Sequence, residues 1–145
     1  MNSMRLLAQD EEDLKIISAH LQDAVIRVGD VAYLPRQHRF ALMLNRFCWE
    51  DGADAGTGAR VLTGLHFDGV LKVQSQHFRQ DDPDAVAVLL AIDFSSESDG
   101  GGTIDLLLSG GGRVRLHVEC IDVALRDMSE PRPAAVRPEH DLERS

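Results

Sequence analysis

The sequence has little of several features that would direct it to a particular class of function. It has two cysteines, Cys48 and Cys120, whereas a small secreted domain usually carries a denser disulfide framework. No apolar stretch approaches the length of a membrane span, and the N-terminal apolar segment is too short for a signal sequence. There is no run of basic residues, and the net charge of −9 disfavours nucleic acid and anionic membranes as partners. We therefore predict a cytoplasmic protein with reduced cysteines.

The length of 145 residues, of which 43% are hydrophobic and 27% charged, is typical of a single globular domain. A chain of this size can bury a sizeable core without a disulfide or a metal ion. Residues 129–145 contain three prolines, many charges and few groups that could pack. We predict one domain over residues 1–128, followed by a flexible tail over 129–145.

The first regular element is predicted to be a helix that begins after Asp10. Asp10 is a good N-cap, and the three acidic residues that follow it favour the positive end of the helix dipole. Leu14, Ile17 and Leu21 recur at helical spacing, so one face should pack on a core. The segment 5–8 before it is predicted to form a short edge strand.

The rest of the chain has the two-residue period of β-strands. The alternation changes phase at Gly29-Asp30, which indicates a hairpin or a bulge. Residues 39–49 are apolar at both alternating sets of positions, which predicts a central strand covered on both faces. Asp68-Gly69 is either a two-residue turn or a bulge in one long strand over residues 61–73; the unbroken alternation favours the long bent strand, with Leu71 and Val73 on its apolar face.

Two further strand segments complete the pattern. Residues 86–94 carry a stripe of apolar residues, comprising Val86, Val88, Leu90, Ile92 and Phe94. Residues 103–120 form a predicted hairpin around a Ser-Gly-Gly-Gly turn, with Cys120 on its core face. We predict the α+β class: a predominantly antiparallel sheet, arranged as a sandwich or partly open barrel, with one N-terminal helix. A barrel like the pleckstrin-homology superfold is one such arrangement, by analogy alone.

The first candidate site is a polar patch formed by two strands. His66 and Asp68 are two residues apart and so project from one side of a strand, as do His117 and Glu119 on the last hairpin strand. Arg113 and Arg115 flank the second pair. If the strands are adjacent, two imidazoles and two carboxylates would converge and could bind a divalent metal or perform acid–base chemistry. The simpler interpretation is a solvated sheet face with cross-strand ion pairs.

The second candidate is the corner formed by Arg46 and Trp49, because arginine and aromatic residues often anchor protein interfaces. The alternative is that Trp49 closes the core at the rim of the sheet. Both cysteines occur in apolar strand contexts and are predicted to be buried hydrophobic residues rather than nucleophiles or metal ligands. The glycine clusters at 56–58 and 110–112 are interpreted as loops, because neither has the strand–loop–helix setting of a phosphate site.

Five segments of the chain resemble an uncharacterised bacterial family, DUF2948. They are AHLQDA at 19–24, AYLP at 32–35, RFALMLNRF at 39–47, TGLHF at 63–67 and VECI at 118–121. The resemblance extends from about residue 6 to residue 127. It implies a single-domain, cytoplasmic, bacterial protein and carries no catalytic residues with it.

Taken together, these patterns lead us to expect a non-catalytic cytoplasmic module that binds or assembles with protein. They contain no nucleophile–base motif, no cofactor fingerprint and no metal-ligand spacing, so we expect neither a cofactor nor a metal ion. Two alternatives stay open: a small enzyme or ligand binder that uses the His/carboxylate patch, and a structural homo-oligomer that uses an exposed strand edge. The oligomeric state is left undetermined.

Overall fold

The structure, a computed structural model, describes residues 4–48, 59–98, 101–129 and 132–133. Within these ranges it contains one α-helix, ten strands and two three-residue 3₁₀ turns, at Pro35–Gln37 and Ser109–Gly111. The helix and strands are β1 (Arg5–Ala8), α1 (Glu11–Leu21), β2 (Val25–Leu34), β3 (Arg39–Cys48), β4 (Ala59–Asp68), β5 (Val70–Gln76), β6 (Val86–Ser96), β7 (Gly102–Leu108), β8 (Arg113–Val118), β9 (Val123–Asp127) and β10 (Arg132–Pro133).

The strands form one open antiparallel sheet with the order β1-β9-β4-β3-β2-β6-β7-β8-β5, and β10 pairs with β4. We call β1, β9, β4, β3 and β2 the first half of the sheet, and β6, β7, β8 and β5 the second half. Buried apolar residues from both halves and from α1 belong to a single core. The predicted α+β class, with a predominantly antiparallel sheet and one N-terminal helix, is confirmed.

Helix α1 begins and packs as the sequence predicts. The Asp10 carboxylate accepts a hydrogen bond of 2.8 Å from the backbone N–H of Asp13, which satisfies one of the unpaired donors of the first turn. Leu14, Ile17 and Leu21 are buried in the core. The hydroxyl of Ser18 accepts a hydrogen bond of 2.9 Å from the backbone of Ile92, which ties the helix to β6.

The phase change at Gly29-Asp30 is a bulge, because β2 continues through it while its pairing with β3 shifts register between Ile26 and Val31. The favoured single strand over 61–73 is instead two strands, since β4 ends at Asp68 and pairs with β3 and β9 whereas β5 begins at Val70 and pairs with β8. Gly69, between them, has a φ of 72°, and the apolar phase changes at this turn. Val70 is therefore buried and Leu71 is 53% exposed, so the predicted core position of Leu71 is wrong.

Strand β3 is not covered on both faces as predicted. Phe40, Leu42 and Leu44 are buried in the core, but Ala41 and Met43 on the other face are only half-buried. No helix or second sheet layer among the described residues covers that face. The outer face of the first half of the sheet is therefore accessible.

The apolar stripe predicted for β6 is wrong in its N-terminal half. The register against β7 shifts between Leu89 and Ala91, so Leu89 is fully buried. Val86 and Leu90, which the prediction placed with the core residues, are 64% and 45% exposed.

The hairpin of β7 and β8 is confirmed, with Ile104 opposite Leu116 and Leu106 opposite Val114. Its turn uses positive φ angles at Gly110 and Gly111. Cys120, predicted to face the core, is exposed as a free thiol because it lies beyond β8, where the chain bends toward β9. The side chain of Cys48 and the glycine cluster at 56–58 lie outside the described residues.

Part of the segment that was predicted to be a tail pairs with the sheet. Arg132 and Pro133 pair with Arg60 and Ala59, so β10 continues along the edge of β4 that β9 occupies further on. The boundary at residue 128 and the flexibility of the tail stay predictions. In the part of the chain that the structure describes, α1 falls short of the length and apolarity that a membrane-spanning helix needs.

The turn at Gly69 provides a test of this topology. We expect Gly69→Ala to lower the free energy of unfolding by about 1–2 kcal/mol, because a β-carbon disfavours the left-handed conformation. There is room for the added atom, since its nearest neighbour would be Glu119 Oε2 at 3.6 Å. Gly64→Ala is the matched control because Gly64 has an ordinary φ; it should change stability by less than about 0.5 kcal/mol. Equal losses in urea unfolding would contradict the assignment.

Candidate functional site

A groove of about 760 Å³ crosses the outer face of the first half of the sheet. Two cross-strand rows of side chains line most of it. One row runs Leu7, Ala124, His66, Ala41 and Ala32; the other runs Arg5, Arg126, Gly64 and Met43. Each row is built from strands that are distant in the sequence but adjacent in the sheet.

The face is concave because small residues occupy its centre. Ala41, Gly64 and Ala124 come from three neighbouring strands and leave little side-chain volume above the backbone. Larger apolar groups surround this floor. Leu7 is 71% exposed and Met128 is 50% exposed. A β-carbon added to Gly64 would lie only 3.5 Å from Met128 Sδ, so the methionine packs directly beside the gap.

Two arginines stand together at the β1–β9 edge of the groove. Arg5 and Arg126 are directly opposite each other in the pairing of β1 with β9, and both are exposed. Neither has an ion-pair or hydrogen-bond partner within the described ranges. Asp30, an acidic residue that also lines the groove, lies 3.4 Å from Arg27 Nη2. The β1–β9 edge therefore carries uncompensated positive charge.

His66, a predicted site residue, lines the groove, but its predicted partner is otherwise engaged. Asp68 is held by Arg39 through contacts of 2.7 Å to Nε and 3.4 Å to Nη2. The His66 Nδ1 lies 3.4 Å from Asp68 Oδ2. The angles do not make a hydrogen bond, and no other described group pairs with this nitrogen. His66 and Asp68 are thus neighbours without being an acid–base pair.

His117 and Glu119 lie in the second half of the sheet, and the structure does not join them to His66 and Asp68 in one cluster. Strand β8 pairs with β5 and β7, whereas β4 pairs with β3 and β9. His117 Nε2 is 2.8 Å from Gln74 Oε1, and Glu119 is exposed beside Gly69. No group of three or more His, Cys, Asp or Glu side chains in the described part of the chain is placed to hold a metal ion.

Arg113 and Arg115 occupy the solvated face of the hairpin. Arg115 forms a two-pronged ion pair with Asp105 on the opposite strand, at 2.8 Å and 3.0 Å. The hydrogen bond to Asp105 raises the pKa of Arg115. Arg113 is exposed, next to a hollow of about 210 Å³. This arrangement fits the simpler interpretation of the patch, a polar face with a cross-strand ion pair.

Arg46 is not an exposed interface residue, which corrects the prediction for the Arg46–Trp49 corner. Its guanidinium donates to both carboxylate oxygens of Asp127, at 3.1 Å and 2.8 Å, and the two side chains are 7% and 3% exposed. Arg46 lies in phase with the core residues Phe40, Leu42 and Leu44 of β3 and so faces inward with them. Trp49 lies outside the described residues.

The Asp127 carboxylate accepts four hydrogen bonds from groups in the described part of the chain. Besides the two Arg46 nitrogens, it accepts from the Thr63 hydroxyl at 3.0 Å and from the Met4 backbone N–H at 2.8 Å. Burial alone would raise the pKa of Asp127. The hydrogen bonds from Arg46, Met4 and Thr63, together with the Arg46 charge, outweigh that effect and lower the pKa below its ordinary value.

The sequence did not reveal the residues that characterise the groove, namely Arg5, Met43, Gly64, Arg126 and Met128. A weak signal was present, because Ala41, Gly64 and Ala124 are small residues at strand positions that alternate with core residues. These residues indicate a groove only once the strand order β9-β4-β3, which places the three side by side, is known.

Comparison with known proteins identifies the family. The family described as "Protein of unknown function (DUF2948)" matches residues 4–140, most of the chain, and the chain belongs to it. The resemblance noted in the sequence is therefore confirmed. No curated protein and no solved structure matches.

The buried ion pair should be important for stability. Asp127→Asn would leave the Arg46 charge buried without a counter-charge, and we expect it to lower the free energy of unfolding by about 3–5 kcal/mol. The control is Asp105→Asn, which breaks a partly exposed pair and should cost at most about 1 kcal/mol. Urea unfolding at pH 7 measures both, and similar losses would show that burial of the first pair is unimportant.

The same ion pair should make the free energy of unfolding depend on pH. Because folding lowers the Asp127 pKa, the ionised carboxylate stabilises the folded protein. This contribution is complete above the ordinary pKa of a carboxyl group and is lost as the pH falls through the pKa that Asp127 has in the folded protein. In the wild type this contribution should decline below about pH 4. The double variant Arg46→Met/Asp127→Leu should lack that component. Parallel pH profiles of unfolding free energy for the two proteins would contradict the assignment.

Proposed function

We propose that this member of the DUF2948 family is a non-catalytic binding module that holds an apolar segment of a partner protein in the groove. The observation that carries the proposal is the groove itself. Its volume of about 760 Å³ falls in the range of established ligand sites, and its floor and walls are mostly apolar.

The shape of the groove favours an extended segment. It crosses five strands, and at a spacing of about 4.8 Å this corresponds to roughly 19 Å. About six residues of extended chain would fill that length. Met43 and Met128 are unbranched and adaptable, which suits a surface that must pack against side chains of varied shape.

Acid–base catalysis has less support. Within the described residues, the carboxylate near His66 is held by Arg39, and His117 is hydrogen-bonded to Gln74. A base and an acid facing one substrate position would be needed for that hypothesis. In the homo-oligomer hypothesis, a second copy of the chain would cover the groove in place of the partner segment.

We also propose that the protein is bacterial and acts in the cytoplasm. The free, exposed thiol of Cys120 supports a reducing compartment, where such groups are maintained without forming disulfides. Detection of a tagged chain in the periplasmic fraction of a bacterial host that carries the native gene would contradict this location.

Filling the groove should abolish binding. We expect peptides selected from a random 12-residue phage-display library on the full chain to lose at least roughly tenfold in affinity on Ala124→Trp, whose indole occupies the floor. The control is Ala91→Trp, a half-buried alanine opposite Leu107 on the other half of the sheet. Fluorescence polarisation with synthetic peptides measures both, after thermal unfolding has shown that the variants fold. Equal affinity on wild type and Ala124→Trp would contradict the proposal.

A further inference from the structure

We propose that the occupant of the groove is an acidic–apolar peptide segment, whose aspartate or glutamate is bound by Arg5 and Arg126 while neighbouring apolar side chains cover the alanine floor. This inference rests on the proposed function and specifies the chemistry of the partner. Two observations carry it: the position of both arginines on the groove, and the absence of any partner for either within the described chain.

The pairing of β1 with β9 brings the two guanidinium groups within reach of one carboxylate. Arg5 and Arg126 are directly opposite residues of an antiparallel pair, so their β-carbons lie about 4.5–5.5 Å apart. Both side chains project from the outer face, the side on which the groove lies. Arginine donates in a planar fork that matches a carboxylate, and two such forks from one edge can share its oxygens.

The position of these two arginines opposite each other distinguishes the pair. The chain has a net charge of −9, and five other arginines, Arg27, Arg39, Arg46, Arg79 and Arg115, each contact an aspartate. Arg113 also has no acidic partner among the described residues, but it lies opposite Gln76 and Leu107 and not opposite a second arginine. Arg5 and Arg126 instead face each other, an arrangement that is unfavourable in a sheet without a counter-charge. An anion bound between them would relieve this repulsion.

The spacing of the two rows specifies the order of groups in the ligand. Arg126 and Ala124 are two residues apart on β9, which separates the arginine row from the alanine row by about 6.8 Å. A partner chain that places a carboxylate on the arginines therefore places side chains one to three residues away over Ala124, His66 and Ala41. We expect selected peptides to carry an acidic residue within three positions of a large apolar one.

The experiment uses the full chain, peptides selected from the random library, and the same peptides with the acidic residue changed to its amide. On the wild type, the amide peptide should bind roughly tenfold more weakly or worse, the loss expected when charge-assisted hydrogen bonds are removed. On Arg5→Gln and Arg126→Gln, acid and amide peptides should bind with affinities within about threefold of each other. Arg36→Gln, an exposed arginine on the turn between β2 and β3, is the control and should retain the full difference.

A second readout separates binding from folding. Because the two arginines repel each other in the free protein, Arg126→Gln should melt at the same temperature as the wild type or higher, even as its preference for the acidic peptide disappears. A lowered melting temperature with an unchanged acid preference would assign Arg126 a structural role and overturn the inference.

The outcomes distinguish this inference from the proposed function. If selected peptides lose affinity on Ala124→Trp but bind equally as acid and amide, the carboxylate inference fails and the binding groove stands. If Ala124→Trp has no effect, both fail. If no peptide is enriched and sodium decanoate binds with dependence on Arg126, the groove takes a fatty acid and the protein partner is overturned. Dimerisation that Ala124→Trp disrupts in sedimentation experiments would replace the partner with a second copy of this chain.

Discussion

The buried ion pair between Arg46 and Asp127 is the interaction on which the outer face of the sheet depends. Asp127 on β9 joins β3 and β4 to the start of β1, since its carboxylate also accepts from Thr63 on β4 and from the backbone of Met4 just before β1. A carboxylate at that position must face inward. Its neighbours in the sequence, Arg126 and Met128, must then face outward, and both line the groove.

The site and the core are therefore specified by the same contact. The backbone N–H of Asp127 donates to the Met4 carbonyl at 3.0 Å, while the Asp127 carboxylate accepts from the Met4 N–H. This reciprocal contact sets β1 in the register that places Arg5 opposite Arg126. A buried ion pair seldom stabilises a protein more than apolar packing would, and its best-attested role is to select one arrangement over others. Here the arrangement selected is the one that brings two arginines to the edge of an apolar groove.

Local features could be predicted from the sequence because the physics that determines them is local. The Asp10 cap, the apolar face of α1 and the β7–β8 turn each depend on residues within a few positions. The exposure of the outer face of β3 could not be predicted, because Ala41 and Met43 are apolar residues that would fit equally well beneath a second layer. Arg46 could not be placed without knowing that Asp127, 81 residues further on, faces it. The separation of His66 from His117, and the grouping of Ala41, Gly64 and Ala124, likewise follow from strand order, which a pattern of alternation does not contain.

The central claim is that the arginine pair and the apolar floor form one recognition site for an acidic–apolar segment. A crystal structure of the full chain with a selected peptide tests it most directly. The account predicts that the peptide's carboxylate oxygens lie about 2.7–3.2 Å from guanidinium nitrogens of both Arg5 and Arg126, with an apolar side chain over Ala41 and Ala124. A peptide bound elsewhere on the chain, or one whose carboxylate contacts neither arginine, would contradict it.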